Sequence, residues 1–348
     1  MHLRSPADER PAAHPHVRFQ PHAHPTTKDK TNNDREKGVQ RVEDPLAGSK
    51  GSALGRRRHT RNPPTTKGES TMSTFYRFPN GLRKALTLSY DDGVEQDIRL
   101  MEILDKHGIR CTFNLNSGCW APEGVTYPKG QIHRRMSKSQ VEKVYANPNH
   151  EVAAHCLTHA SLTELSPAEI AWEVLADRKN LEEMFGGLIR GLAYPFGTFS
   201  GKVVDALKAT GAAYARTVVS TNNFDIPNEW LTLHPTCHHN APNLNELCDR
   251  FLADTVPFGS KLFYLWGHSY EFEADNNWQV IEDFCKKMSG HDDIWNAPNI
   301  EIVDYVNACR QICTSADGHT FHNPTCIDVW ADINGKTVCI KAGETVKV

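Results

Sequence analysis

From Ala85 onward the chain alternates short apolar runs with longer amphipathic stretches, a pattern that predicts repeated strand-helix units. "ALTLSY" (85–90) reads as a buried strand. In the following "EQDIRLMEILDKHG", Ile98, Leu100, Ile103 and Leu104 recur at helical spacing, and Gly108 supplies a C-terminal stop. "CTFNL" (111–115) and "EVAAH" (151–155) are the next strands, and between them Ser137 and Gln140 form a capping box ahead of "VEKVYA". Ser166, Pro167 and Glu169 open a long helix that Gly186 and Gly187 close after Phe185. "GLAY" (191–194), a helix to about Thr210 and "AYART" (213–217) repeat the unit. Asn243 with Glu246 caps a helix ahead of "KLFYLW" (261–266), and "IEIVDYVNACRQI" is the last long helix. Beyond it the pattern is one of strands, with Asn334 and Gly335 as a hairpin turn.

Residues 1–71 break this pattern. They hold one aromatic residue, Phe19, and are rich in Pro, Arg, Lys and His, a composition that cannot offset the entropy of folding. A disordered tail is expected there. It lacks the apolar core of a secretory signal. Met72 follows "KGEST", where Lys-Gly-Glu is encoded by purine-rich codons about where a bacterial ribosome-binding sequence lies, so translation is expected to start at Met72 and the tail to be non-native. The barrel is expected over residues 72–315, with a short β extension over 316–348. A net charge of -3 in 348 residues gives no general attraction to nucleic acid or to an anionic membrane. No apolar stretch approaches the roughly 20 residues that span a bilayer. The ten cysteines are spread through what reads as core and are expected to be reduced thiols, Cys309 and Cys313 included. Without an export signal the expected location is cytoplasmic.

The polar residues fall at strand ends. Asp91 and Asp92 follow "ALTLSY", His155 follows "EVAA", Pro195–Gly197 follow "GLAY" and His268 follows "LFYLWG". In a barrel of parallel strands the loops at the C-terminal face converge, so residues distant in sequence meet in space. His155 and His159, four apart, form a pair able to hold a divalent cation, and with a carboxylate they leave a position for water. His234, His238 and His239 are a weaker second cluster, more consistent with structural hydrogen bonding than with a second metal or substrate role. Of the adjacent acids one can serve as ligand and its neighbour as base, because a cation makes hydroxide available at neutral pH only if something takes the proton. "AYPFG" fixes a tight turn that aims the Phe196 N–H at a developing oxyanion. His268 is placed to protonate a leaving group.

With these residues in view the chain resembles the polysaccharide deacetylases, the nodulation-deacetylase-like carbohydrate esterases of family four. "SYDDG" is similar to their first motif, "HCLTH" to the second, "YPFG" to the third and "LFYLWGH" to the fifth, and the resemblance covers about 75–345. It implies an α/β fold, a distorted (β/α) barrel of parallel strands, and a divalent metal, commonly Zn2+. It also implies that Asp92, His155 and His159 hold the metal, that Asp91 is the base, that Phe196 supplies the oxyanion N–H and that His268 is the acid. Tyr194, Pro195, Trp266 and Arg216 are expected to line the substrate.

The sequence departs from the family in three places. Cys156 stands where Ser or Thr is usual. Ala193 stands where many members carry an Arg paired with the catalytic acid, and either Arg190 or Arg216 is the substitute. The fourth motif, an acid and a tryptophan supporting the catalytic histidine, has only "FDIPNEW" with Asp225 and Trp230 as a candidate. Trp120, Trp230, Trp266, Trp278 and Tyr270 lie near loop ends where aromatic faces stack on sugars. The expected substrate is an acetylated carbohydrate, soluble if the protein is cytoplasmic. Hydrolysis of a small non-sugar amide and carbohydrate binding without turnover are the alternatives.

Overall fold

The computed structural model describes residues 73–255 and 258–348. The tail expected over 1–71 and the start expected at Met72 lie outside them. Strand β1 (Thr74–Arg77) precedes β2 (Lys84–Asp91), α1 (Gln96–Lys106) and β3 (Thr112–Leu115). Next come α2 (Lys138–Val144), β4 (Glu151–Ala154), α3 (Pro167–Phe185) and β5 (Gly191–Ala193). The units continue with α4 (Gly201–Lys208), β6 (Tyr214–Arg216), β7 (Cys237–His238), α5 (Leu244–Ala253) and β8 (Lys261–Gly267). Then α6 (Ser269–Ala274), α7 (Gln279–Met288), β9 (Ile294–Asn296) and α8 (Asn299–Arg310) complete the helical layer.

These strands form one parallel sheet in the order β6-β5-β4-β3-β2-β8-β7, with β9 also paired to β2. The sheet curls until its ends meet, because a bridge joins Arg216 to Leu233 just upstream of β7. There Leu233 donates to the Ala215 carbonyl and accepts from Thr217, both at 2.9 Å. The fold is the distorted (β/α) barrel of parallel strands. Every residue of β2 is buried, as a strand covered on both faces requires. Leu86, Leu88, Phe113, Leu115, Phe263 and Leu265 join helix residues such as Leu100, Leu104, Val174 and Leu181 in the main core.

The local signals explain the element ends. Ser137 with Gln140 and Ser166 with Glu169 form reciprocal capping boxes, Pro167 opens α3, and Gly186 ends it at φ 73. Asn243 stands at the N-cap of α5 but its side chain makes no cap bond; it donates to Asn222 Oδ1 at 3.1 Å instead. Among the described residues all ten cysteines are free; Cys309 is buried in α8 and Cys313 is exposed beyond it.

The C-terminal chain forms β10 (Cys313–Thr314), β11 (Thr320–His322), β12 (Val329–Ile333), β13 (Lys336–Ile340) and β14 (Thr345–Lys347). Asn334 and Gly335 take positive φ, 51 and 78, in the turn joining β12 to β13. This β extension makes two three-stranded sheets, and one of them takes its edge strand from β1, which runs antiparallel to β12. The ends of the described chain are therefore knitted together. Among the described residues no helix is long and apolar enough to cross a membrane.

Candidate active site

Strand register sets the site. Tyr90 pairs with Gly267, Asp91 with Asn114, Leu115 with Ala154, Ala154 with Leu192, and Ala193 with Arg216. The residues at or just past these positions, Asp91, Asp92, His155, Tyr194, Arg216 and His268, therefore share one level at the C-terminal face. Asp91, Asp92, His155, His159, Tyr194, Phe196, Trp266, His268 and Tyr270 line a cleft of about 490 Å3.

Asp91 is 2% exposed and tightly held. Asn114 Nδ2 donates to its Oδ1 at 2.8 Å, and Arg216 Nη2 forms an ion pair with its Oδ2. Burial pushes the Asp91 carboxyl up, but Arg216, then His155 and His268, outweigh it and hold the group below the usual carboxylate range. Arg216 is 0% exposed, with its guanidinium 4.4 Å from the Trp266 ring centre. It lies beneath the cleft rather than on its surface. Of the two arginine candidates, then, Arg216 carries the contact. Arg190 pairs with Asp304 on α8. Because Ala193 and Arg216 are register partners, the cation stands one strand over at the level where many family members place theirs.

Asp92, His155 and His159 offer ligand atoms all within 4.8 Å of one another. Each is held from outside. His155 Nδ1 lies 2.8 Å from the Ala193 carbonyl, which can only accept, so the ring hydrogen sits on Nδ1 and the Nε2 lone pair faces the cluster. Burial lowers the pKa of both imidazoles, that of His159 to about 4, so both are neutral near pH 7. Burial opposes the charge on Asp92, yet His133, His155 and Arg135 hold it well below the ordinary range. Two neutral imidazoles and one carboxylate are a donor set that suits a zinc-like dication with a position left open. The residues present fit the divalent metal that the resemblance implies.

The backbone is strained here. Asp92 (φ 86), Cys156 (φ 64), His159 (φ 57) and Phe196 (φ 58) all take positive φ, a conformation that costs about 1–3 kcal/mol where a side chain is bulky and that gathers at functional sites. Phe196 is 64% exposed, its ring 4.5 Å from that of His159. Tyr194 is buried and donates its hydroxyl to the Leu231 carbonyl at 2.7 Å. Pro195 is buried beside it, and Trp266 forms part of the cleft wall. His268 sits across the mouth with Nε2 3.8 Å from Asp91 Oδ2.

Several candidates are not brought to the cleft. Asp225 pairs with Lys261, and Trp230 donates to Asn307 on α8 at 2.7 Å. "FDIPNEW" therefore does not support His268. Nor do Trp120 and Trp278 line the cleft. His234 Nδ1 is 2.6 Å from the Thr217 hydroxyl. Conversely, four supports escaped the sequence reading. Arg135 reaches Asp92 through Oδ1 at 2.8 Å and the carbonyl at 2.6 Å, and His133 Nε2 lies 3.5 Å from Asp92 Oδ2. Asp177 on α3 accepts from the backbone N–H of Ser117 (2.7 Å) and His155 (3.0 Å). Glu271 lies one turn past His268, with Oε1 3.2 Å from its Nδ1. An acid one helical turn after a predicted catalytic histidine was the signal available for it.

Residues 78–215 match the family model described as polysaccharide deacetylase. No curated protein matches the chain. Among solved structures it is similar to a CE4 family pseudoenzyme from Bacillus anthracis, at 19% identity over 66% of this chain and 68% of that one, with a TM-score of 0.40. A family 4 carbohydrate esterase from Streptomyces lividans, in complex with acetate, is 15% identical over 62% of this chain and 93% of that one, with a TM-score of 0.39. A polysaccharide deacetylase from Bacillus cereus is 21% identical over 42% of this chain and 44% of that one, with a TM-score of 0.35. The match to the polysaccharide deacetylase model thus runs through residues 78–215 and takes in Asp91, Asp92, His155, His159 and Phe196.

Proposed function

We propose that the chain is a metal-dependent deacetylase that hydrolyses N-acetyl or O-acetyl groups of a carbohydrate. The observation that carries this reading is the gathering, in one cleft, of an Arg216-paired Asp91, an Asp92-His155-His159 ligand set and a His268 with Nε2 facing the same space. Asp92, His155 and His159 would hold the cation, with zinc the first choice. When bound, the cation supplies Lewis acidity toward water and toward the acetyl carbonyl.

The chain's own residues do the rest. Asp91 takes the proton of the attacking water; Asn114 and Arg216 keep it ionised and aimed. The Phe196 N–H faces the developing oxyanion, a role worth about 3–4 kcal/mol in the transition state. His268 in its cationic form hands a proton to the departing sugar nitrogen or oxygen. Burial opposes that charge, but the Glu271 hydrogen bond and the nearby Asp91 outweigh it and raise the His268 pKa. The rings of Phe196, Trp266 and Tyr270 on the cleft wall offer faces for a sugar.

The test is acetate release from acetylated chito-oligosaccharides, with and without a chelator. Release abolished by chelation and restored by zinc is expected. Activity that survives complete metal removal rejects the mechanism, and hydrolysis confined to small amides rejects the sugar.

A further inference from the structure

Two histidines and a glutamate that line no part of the catalytic cleft close on one point. His238 Nε2 and His239 Nε2 lie 3.1 and 3.0 Å from Glu271 Oε2, and the three atoms are all within 4.8 Å of one another. We propose that they form a second divalent-cation site, for zinc or a similar first-row ion, on the far side of His268 from the cleft. The site is separate from the Asp92-His155-His159 set and does not rest on the deacetylase reading. His234 takes no part in it, since its Nδ1 is spent on the Thr217 hydroxyl.

Orphaned atoms carry the argument. His239 Nε2 and Glu271 Oε2 are buried and neither has a hydrogen-bond partner, although only 3.0 Å separates them. The ring nitrogen is near the oxygen but not aimed along the line between them, so the approach satisfies neither atom. Buried polar atoms left in that state destabilise a fold, and an ion placed between them engages both. Zinc holds imidazole nitrogen and carboxylate oxygen at about 2.0–2.2 Å, which puts neighbouring ligand atoms roughly 3–3.5 Å apart. The two nitrogen-oxygen separations here fall in that range.

The ligands stand on fixed elements. His238 ends β7, and the His239 N–H donates to the Trp266 carbonyl on β8 at 2.9 Å. The buried His239 ring stacks on Phe272 at 4.1 Å, and Gly267 makes the room for it, because a Cβ there would lie 2.0 Å from His239 Nδ1. His238 packs edge-on against Trp266, with ring centres 4.6 Å apart. Glu271 belongs to the first turn of α6, and its Oε1 is 3.2 Å from His268 Nδ1, which leaves Oε2 for an ion. The side chains of His238 and Glu271 are partly exposed, so an ion has a way in and water can take the remaining position. His238 Nδ1 accepts from the Asn240 N–H at 3.2 Å, so without a cation the neutral ring carries its hydrogen on Nε2. Ligation moves that hydrogen to Nδ1 and hands the Asn240 N–H to water, a small loss at an exposed position beside the bond to a metal. A bound ion ties the end of the two-residue strand β7 to α6.

The full chain, stripped with a chelator and reloaded with Zn2+, tests the proposal through the zinc bound per chain, compared between variants, with circular dichroism as the check of fold. His238→Ala and Glu271→Gln should each bind one equivalent less than the wild type. His159→Ala should also bind one less, and His159→Ala combined with His238→Ala two less. In His159→Ala added Zn2+ should still raise the unfolding midpoint, and in the double variant that rise should be lost. Wild-type zinc content in folded His238→Ala overturns the proposal; where that variant does not fold, Glu271→Gln decides in the same way. If His238→Ala loses one equivalent while His159→Ala loses none, the second site stands and the metal role given to Asp92, His155 and His159 fails.

Discussion

Replacing Arg216 by Met keeps much of the side-chain volume against Trp266 but leaves the Asp91 carboxylate without its cation. Asp91 is 2% exposed and Arg216 0%. Breaking one half of a buried ion pair typically costs about 3–5 kcal/mol, because the remaining charge is stranded away from water. The pH dependence gives the more searching check. In the wild type the folded Asp91 pKa is depressed, so its contribution is present above the unfolded carboxylate pKa and is lost only as pH falls through the folded value. Burial is the largest influence on Asp91 and Arg216 the largest opposing it, so without Arg216 only His155 and His268 oppose burial and the folded pKa is expected to rise above the unfolded one. The sign then inverts, and the variant loses stability as pH rises from about 4 toward its new folded pKa. The deficit against wild type should grow by about 1.4 kcal/mol per pH unit across that window. Urea unfolding of both proteins at pH 4, 5, 6 and 7 measures it, alongside acetate release. A deficit below about 1 kcal/mol at pH 7, or one independent of pH, refutes the argument that this pair holds the base ionised.

His159→Ala is expected to lose the metal, whereas His268→Ala keeps it and loses most turnover; elemental analysis showing equal metal in both contradicts those roles. Asp177→Ala orphans the buried N–H of Ser117 and removes one of the two acceptors of the His155 N–H, which keeps the Leu115 carbonyl at 2.8 Å, and chemical denaturation should show a loss of about 1–3 kcal/mol. Gly197→Ala, at φ 69 with Val218 Cγ2 only 2.3 Å from the added Cβ, should destabilise by about 1–3 kcal/mol and lower kcat by re-aiming Phe196; an unchanged unfolding midpoint argues against it.

Most of the parallel strands, and with them Asp91, Asp92, His155 and His268, were legible because they coincide: an apolar run ends, and an acid or a histidine stands at its end. What held those residues was less legible, for reasons of geometry. The choice between Arg190 and Arg216 depends on register across two strands, which no local pattern encodes. Arg190 points to α8, and Arg216 stands beside Ala193 at the level of Asp91. Arg135 and His133 come from an irregular segment between β3 and α2, where periodicity gives no purchase. Glu271 looks like any solvated helix acid until β7 delivers two histidines to its far oxygen. Asp225 and Trp230 had the composition of a histidine support, but their partners are Lys261 and Asn307. The pairing of β1 with β12 joins segments about 255 residues apart, so Thr74–Arg77 carries no strand signal that the sequence analysis reads, and β12 reads only as part of the C-terminal β stretch.

The Asp91-Arg216 contact also has a mechanical side. β2 and β6 are four places apart in the sheet order, so the bond crosses the barrel beneath the cleft like a tie-rod between opposite staves, and β6 meets the segment ahead of β7 at Leu233. A reagent that esterifies the Asp91 carboxylate should therefore slacken the rim as well as silence the chemistry, and deuterium uptake at the Thr217 and Leu233 amides should rise together with the loss of turnover.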